Sequence, residues 1–359
     1  MCAWAAGSRI VARVTDANVA GGTQIPVDDL AELIKVFDLG EVVDRQHLAD
    51  GLMNVNWRLD TPAGRFVLKR ATDVPIDRLR RNLAVLPVLV ARGVHACAPV
   101  TSVSGDVIAE VGGNGYCLFP WLDGEHVRGI DLPLSQVADL GAHLAQLHEA
   151  LGSAAVELPA VPASVTAPVT EPVRAMEKAD RLAGVVAVRD VGDAFDVAVS
   201  TALEERKHLL GKHAHLRPES EIPAGPHGWT HGDFQYRNLL WADGELVAIL
   251  DWDRLDIRPY AEEVVRTAQV QFGVEGAFHL ERVSAFVAGY RSVIPLEPTA
   301  LVDAARRLWW KRMTDFWQLE FHYDRDDRSC DDLFLADEAL LHWWTKRLDT
   351  VERTFAGTS

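Results

Sequence analysis

Hydrophobic and polar positions change period along this chain, and the changes predict where helices give way to strands. Pro26-Val-Asp-Asp-Leu opens a helix through about Phe37, with Leu30, Leu33, Ile34 and Phe37 on one face. Ahead of it, Ala20-Gly21-Gly22-Thr23 reads as a flexible junction closing a tail over residues 1–25. Residues 42–68 follow as strand, turn and strand, with Thr61-Pro-Ala-Gly64 leading into Arg65-Phe-Val-Leu-Lys69. Leu79, Leu83, Leu86 and Val90 form the buried stripe of a helix over residues 76–92. Strands return over 99–121, separated by the turn signals Ser104-Gly-Asp and Gly112-Gly-Asn-Gly115.

From residue 131 onwards the helical period dominates. Residues 134–151 place Val137, Leu140, Leu144, Leu147 and Leu151 on one stripe, with His143 and His148 among them as structural histidines. A Pro-, Ala- and Val-rich linker over 158–172 precedes helices over 174–184 and 191–213, then a loop over 217–228. Asn238-Leu-Leu-Trp241 and Val247 to Leu250 flank Ala242-Asp243-Gly244, the pattern of a hairpin. The remainder, to Arg353, is helical and rich in aromatics, most of which the pattern assigns to a core.

Composition narrows the class. With 359 residues and 48% hydrophobic content, the chain can fill two lobes with their own cores. No run approaches membrane length and the start lacks a basic segment followed by an apolar core, so a cytoplasmic protein without a membrane partner is expected. Thirty-six basic against 52 acidic residues, a net charge of −16, argue against a nucleic-acid partner and leave room for a cationic substrate. Cys2, Cys97, Cys117 and Cys330 are scattered without metal spacing and read as reduced thiols.

The chemistry concentrates in residues 231–253, HGDFQYRNLLWADGELVAILDWD. Moving a phosphoryl group onto a hydroxyl needs a carboxylate beside that hydroxyl and oxygen ligands for Mg²⁺. Asp233 suits the first task, while Asn238 and Asp251 offer an amide oxygen and a carboxylate for the second. Gly51 and Asn54, on a small-residue turn between strands, suit the approach of backbone N–H groups to phosphates. Neither G-x-G-x-x-G nor a P-loop is present in the sequence.

HGDFQYRNLL followed by ILDWD resembles the aminoglycoside phosphotransferase and choline kinase family of small-molecule kinases. The likeness runs from about residue 38 to the C-terminus. It implies an α+β, protein-kinase-like bilobal fold, with an antiparallel-sheet N-lobe over 26–122 and a mainly helical C-lobe over 123–359. It also implies ATP or GTP as phosphoryl donor, Asp233 as catalytic base, Asn238 and Asp251 as Mg²⁺ ligands, and His231 as the residue shaping the loop. Asp253 becomes a second carboxylate near the metals, on the substrate side. Lys69 falls at the position of the family's ATP-binding lysine, and Phe119, Trp121 and Leu122 at the hinge that receives the purine.

One departure stands out: the family's glutamate that holds the lysine is missing, since no Glu occurs between Arg70 and Arg92. Asp77 or Asn82 is expected to stand in. Of Glu262 and Glu263, one is expected to be a buried carboxylate under the catalytic loop and the other solvated. By the same resemblance the acceptor is a small hydroxyl compound, foremost an aminoglycoside-type or nucleoside antibiotic in a resistance role, reached by Asp315, Trp317 and Glu320. Homoserine, choline or an amino sugar are the metabolic alternatives, because residues 51–70 also resemble the homoserine kinase branch. A nucleotide-binding pseudokinase is the rival from another class, and a monomer or homodimer is expected.

Overall fold

The computed structural model describes residues 24–48, 54–153, 155–189 and 193–357. The expected tail up to residue 23, and Gly51, lie outside them. The chain divides into two compact units, residues 1–76 with 100–121 and residues 77–99 with 122–359. The segment 77–99, read from the sequence as part of the N-lobe, thus clusters with the second unit.

Among the described residues, the first unit combines helix α1 (Val27–Val36) with strands β1 (Asp44–Leu48), β2 (Val55–Thr61), β3 (Gly64–Ala71), β4 (Ala109–Val111) and β5 (Asn114–Pro120). The strands form one antiparallel sheet in the order β1-β2-β3-β5-β4. Trp57, Leu59 and Leu68 turn one face of the sheet onto Leu33 and Phe37 of the α1 region, which is the alternation a half-buried sheet requires. A polar contact sets α1 in place: the buried Tyr116 hydroxyl donates to Asp29 Oδ2 at 2.7 Å. Burial and that bond push the Tyr116 hydroxyl up to about 12. Gly112, at φ +57°, closes the β4–β5 turn where a Cβ would strike the Asp29 carboxylate.

The second unit starts with α2 (Ile76–Ala84) and α3 (Leu86–Ala91). The single helix expected over 76–92 is therefore two. It breaks at Val85 because Pro87, in the first turn of α3, has no N–H to continue the ladder. Helices α4 (Leu134–Leu151), α5 (Pro172–Ala187) and α6 (Ala194–His213) follow. Four short strands come next: β6 (His227–Thr230), β7 (Leu239–Ala242), β8 (Glu245–Ile249) and β9 (Asp256–Pro259). β6 pairs with β9, and β7 with β8, both antiparallel. Asp243 and Gly244 join β7 to β8 with φ of 51° and 85°, the two-residue turn whose twist matches its strands. After α7 (Tyr260–Phe272) and the small ribbon of β10 (Gly273–Val274) with β11 (Ala277–Phe278), the chain is helical: α8 (Leu280–Arg291), α9 (Pro298–Thr314), α10 (Trp317–Arg325), α11 (Asp331–Thr345) and α12 (Leu348–Ala356). Trp309, Trp310, Phe316 and Trp344 are fully buried core residues.

Helices α4 and α8 touch backbone to backbone. A Cβ on Gly141 would lie 2.0 Å from the Phe286 carbonyl oxygen, and one on Gly289 would lie 1.8 Å from that of Ala138. This approach carries His148, two turns along α4 from Gly141, against Tyr290 of α8. Gly289→Ala is expected to destabilise the protein by about 1–3 kcal/mol through overpacking. Gly211→Ala, at an exposed and unobstructed helical position, is expected to be neutral or stabilising by up to about 1 kcal/mol. Urea midpoints of the two variants decide; equal midpoints would contradict the close crossing.

Candidate active site

The loop between β6 and β7 carries His231, Gly232, Asp233 and Asn238, and the chain leaving β8 carries Asp251. Leu250 N–H donates to the Asn238 carbonyl at 2.8 Å, so the residue before Asp251 is tied to Asn238 itself. Asp251 has φ 57°, a left-handed backbone that is uncommon for a non-glycine residue and is held where the surroundings over-determine it. Asn238 Nδ2 donates to both Oδ2 and the main-chain oxygen of Asp233, at 2.9 Å each. Its Oδ1 is thereby turned away from Asp233.

Asp233 is held from both sides. Gln235 Nε2 donates to its Oδ2 at 2.8 Å, and Arg266 Nη2 to its Oδ1 at 2.8 Å. Arg266 Nη1 also reaches the Gly232 carbonyl at 3.2 Å. A carboxylate so oriented, with its side chain still 19% exposed, can receive a proton from a hydroxyl placed beside it. The Asn238 amide oxygen and the Asp251 carboxylate are hard oxygen donors of the kind Mg²⁺ takes alongside substrate phosphates, so the residues present fit that ion.

Beneath the loop lies a buried polar assembly. His231 is fully buried; its Nδ1 accepts the Asp233 N–H at 3.2 Å, which leaves Nε2–H to donate to the Leu250 carbonyl at 3.0 Å. Burial lowers the His231 pKa and keeps this neutral tautomer, against the opposing charges of Glu263, Asp233 and Asp251. Glu263, 3% exposed, accepts the N–H groups of Gly232 and of His231, the latter at 3.2 Å, and the His148 Nε2–H at 2.6 Å. Burial alone would raise the Glu263 carboxyl, but the hydrogen bonds it accepts, from His148 first and from the Gly232 N–H, lower it. The Tyr290 hydroxyl donates to His148 Nδ1 at 2.8 Å, and Tyr260 stacks on the His148 ring at 4.6 Å. Gly232 has φ +84°, and a Cβ there would lie 2.3 Å from the Arg254 carbonyl. Glu263 is thus the buried carboxylate of the pair, while Glu262 is half-buried.

The remaining sequence candidates fall in several places. In the first unit, Lys69 is buried on β3, opposite Asn56 on β2 and Cys117 on β5. Asn54 is buried and accepts the Thr72 N–H at 3.1 Å. Phe119 is half-buried on β5. Trp121 N–H donates to the Arg65 carbonyl at 2.9 Å, so that donor is already used. Leu122, half-buried, opens the last segment of the second unit.

Several of the expected residues are buried or already paired in this structure. Asp77 is solvent-exposed and pairs with Arg80 at 3.2 Å, while every hydrogen-bonding atom of the buried Asn82 is engaged within the second unit. Asn82 Nδ2 donates to the carbonyls of Trp252 and Asp253 at 3.1 and 3.0 Å, and its Oδ1 accepts from Arg81. Asp253, placed on the substrate side from the sequence, is buried, at 2% exposed. Glu320 is neutralised by Lys178 at 2.8 Å and Arg181 at 3.8 Å. Asp315 and Trp317, by contrast, are half-buried and share with Arg312, Gln318 and Asp337 the wall of a cavity of about 10 Å³. Arg266 and Gln235 were not anticipated. The available signal for Arg266 was its spacing, three residues and so one turn beyond Glu263 on α7.

Residues 44–296 match the phosphotransferase enzyme family. A homoserine kinase of Phenylobacterium zucineum is 28% identical, covering 82% of this chain and 87% of its own. A solved spectinomycin phosphotransferase, in complex with ADP and spectinomycin, superposes with a TM-score of 0.62 at 17% identity, covering 93% of this chain and 98% of its own. An aminoglycoside phosphotransferase of Alicyclobacillus acidocaldarius gives 0.60 at 15% identity, covering 94% and 96%. The fold is therefore α+β and protein-kinase-like, an antiparallel-sheet N-lobe with a mainly helical C-lobe.

His231 and Glu263 both have folded-state pKa values below their unfolded ones, so the unfolded chain binds more protons and stability falls with falling pH. The His231 contribution is complete above about pH 6.5 and is lost below it; that of Glu263 persists to below about pH 4.3. Between pH 7.5 and 5.5 the urea midpoint of the wild type is expected to fall more steeply than that of His231→Gln. Parallel slopes would show that His231 is not held neutral.

Proposed function

The chain belongs to the phosphotransferase enzyme family and is a small-molecule kinase; from that premise we propose that it transfers the terminal phosphoryl group of ATP or GTP to the hydroxyl of a homoserine-sized acceptor. The observation that carries this reading is the set of three side chains, Gln235, Asn238 and Arg266, that orient the Asp233 carboxylate while Asn238 is tied to the residue before Asp251. In the proposed reaction Asp233 aligns the acceptor hydroxyl and takes its proton as the oxygen bonds to phosphorus and the bond to the departing nucleoside diphosphate breaks. Asn238 and Asp251 are the residues that would hold Mg²⁺, which when bound neutralises charge on the phosphates. Lys69, Asn54, Phe119 and Leu122 are assigned to the nucleotide on their places in the sheet and the segment after it. Positioning and charge neutralisation then supply the catalysis, with no covalent intermediate on the protein.

A homoserine-type acceptor is favoured over an antibiotic for two reasons. Sequence relatives similar over 82% of this chain include homoserine kinases, whereas likeness at 15–17% identity speaks for fold alone. The ion pairs of Glu320 also remove one of the acids that would draw in a polycation. Among the described residues no helix is long and apolar enough to cross a membrane, and we place the reaction in the cytoplasm, where nucleoside triphosphates are available.

The test is phosphate transfer by the purified protein with ATP or GTP and Mg²⁺, to a panel of homoserine, choline, amino sugars, spectinomycin and aminoglycosides, with products followed by mass. One product heavier by a phosphoryl group is expected, with turnover reduced about 10²- to 10⁴-fold in Asp233→Ala. Wild-type turnover in that variant would remove Asp233 from its role. Nucleotide binding without any product would favour the pseudokinase reading.

A further inference from the structure

We propose that Arg266 and Arg312 hold a carboxylate of the acceptor and Asp315 its ammonium group, which makes the acceptor a small hydroxy amino acid; this inference rests on the phosphotransferase reading above. Arg266 and Gln269 lie one turn apart on α7 and share a face. Gln269 Oε1 accepts from Nε and Nη2 of Arg312, on α9, at 3.2 and 2.7 Å, so the second guanidinium sits one helical turn from the first. Arg312 Nη1 donates to Asp337 at 2.9 Å, and Gln318 donates to the same Asp337 oxygen at 2.7 Å.

The remaining hydrogens define what this row can bind. A guanidinium has five N–H groups. Arg266 uses two of them, on Asp233 and Gly232, and its side chain is 38% exposed. Arg312 uses three, which leaves one hydrogen on each Nη, the fork that takes a carboxylate in two parallel bonds. Asp315 completes the set. Its carboxylate accepts the Trp317 main-chain N–H at 3.3 Å and, among the described residues, makes no ion pair, whereas Asp233 and Asp337 each have an arginine.

Arg266 donates to Asp233 itself, so an acceptor whose hydroxyl lies at Asp233 meets Arg266 first, and Arg312 next where it bonds Gln269 one turn along α7. A polycation at the same place would meet two guanidinium groups beside the base, a repulsion that discriminates by charge.

Steady-state rates would be measured on wild type, Arg312→Gln and Asp315→Asn with homoserine, with the corresponding amino diol lacking the carboxylate, with the corresponding hydroxy acid lacking the amine, and with spectinomycin. The wild type is expected to lose about 10- to 100-fold in kcat/KM on either analogue, mostly through KM. Arg312→Gln should narrow the gap between homoserine and the amino diol, and Asp315→Asn the gap between homoserine and the hydroxy acid. The analogue series on the wild type decides alone if a variant does not fold. Equal rates on homoserine and the amino diol, or transfer to spectinomycin alone, would overturn the carboxylate clamp and leave the kinase reading standing. Nucleotide binding with no transfer to any of the four also counts against the clamp, and absence of nucleotide binding counts against the kinase reading itself.

Discussion

The loop that carries Asp233 hangs on the carboxylate of Glu263. A side chain this buried remains an anion only where its oxygens are well paired, and here they take two consecutive backbone N–H groups and the His148 ring. Those two N–H groups belong to His231 and Gly232, so the acid fixes the backbone immediately before Asp233. His148 in turn is fixed by the Tyr290 hydroxyl and the Tyr260 ring. The position of Asp233 therefore depends on how closely α4 and α8 cross, and that closeness exists because Gly141 and Gly289 have no side chains.

The Asp251 side of the loop is secured by a second set of backbone and amide hydrogen bonds. Asn82 holds the carbonyls of Trp252 and Asp253 while accepting from Arg81, which pins the chain just past Asp251. Upstream, Ile249 N–H bonds to the His95 carbonyl, and Cys97 N–H bonds to the Ile249 carbonyl, so β8 is stitched to residues 95–97. Asp251 is thus constrained from both directions, and a left-handed backbone persists there because its neighbours cannot relax. Asn82, one of the two residues expected to steady Lys69, steadies instead the segment that follows Asp251 in its own unit.

Net charge describes this protein poorly at the place where chemistry happens. The chain carries −16 overall, yet Arg266 lies against Asp233 and Arg312 against Gln269, one turn from Arg266 on α7. Low local dielectric makes such near charges count for more than distant, water-screened ones. An acidic composition therefore says little about the sign of the substrate, and the loss of Glu320 to Lys178 and Arg181 makes the same point from the other side.

What the sequence by itself determined were the features set by short spacing. Asp233, Asn238 and Asp251 stand out in the sequence because the proposed phosphoryl transfer would need those groups at those intervals, and the Asp243-Gly244 turn and the amphipathic stripes follow from local backbone and burial rules. The split of the expected helix at Pro87 was also local, and a longer hydrophobic period had masked it. Only the tertiary structure decided that Glu263 meets His148 across 115 residues, that His148 meets Tyr290 across 142, and that Asn82 reaches Trp252 across 170. Hydrogen bonds between distant side chains impose no period on the chain, so nothing in the pattern of residues announces them before the helices are packed.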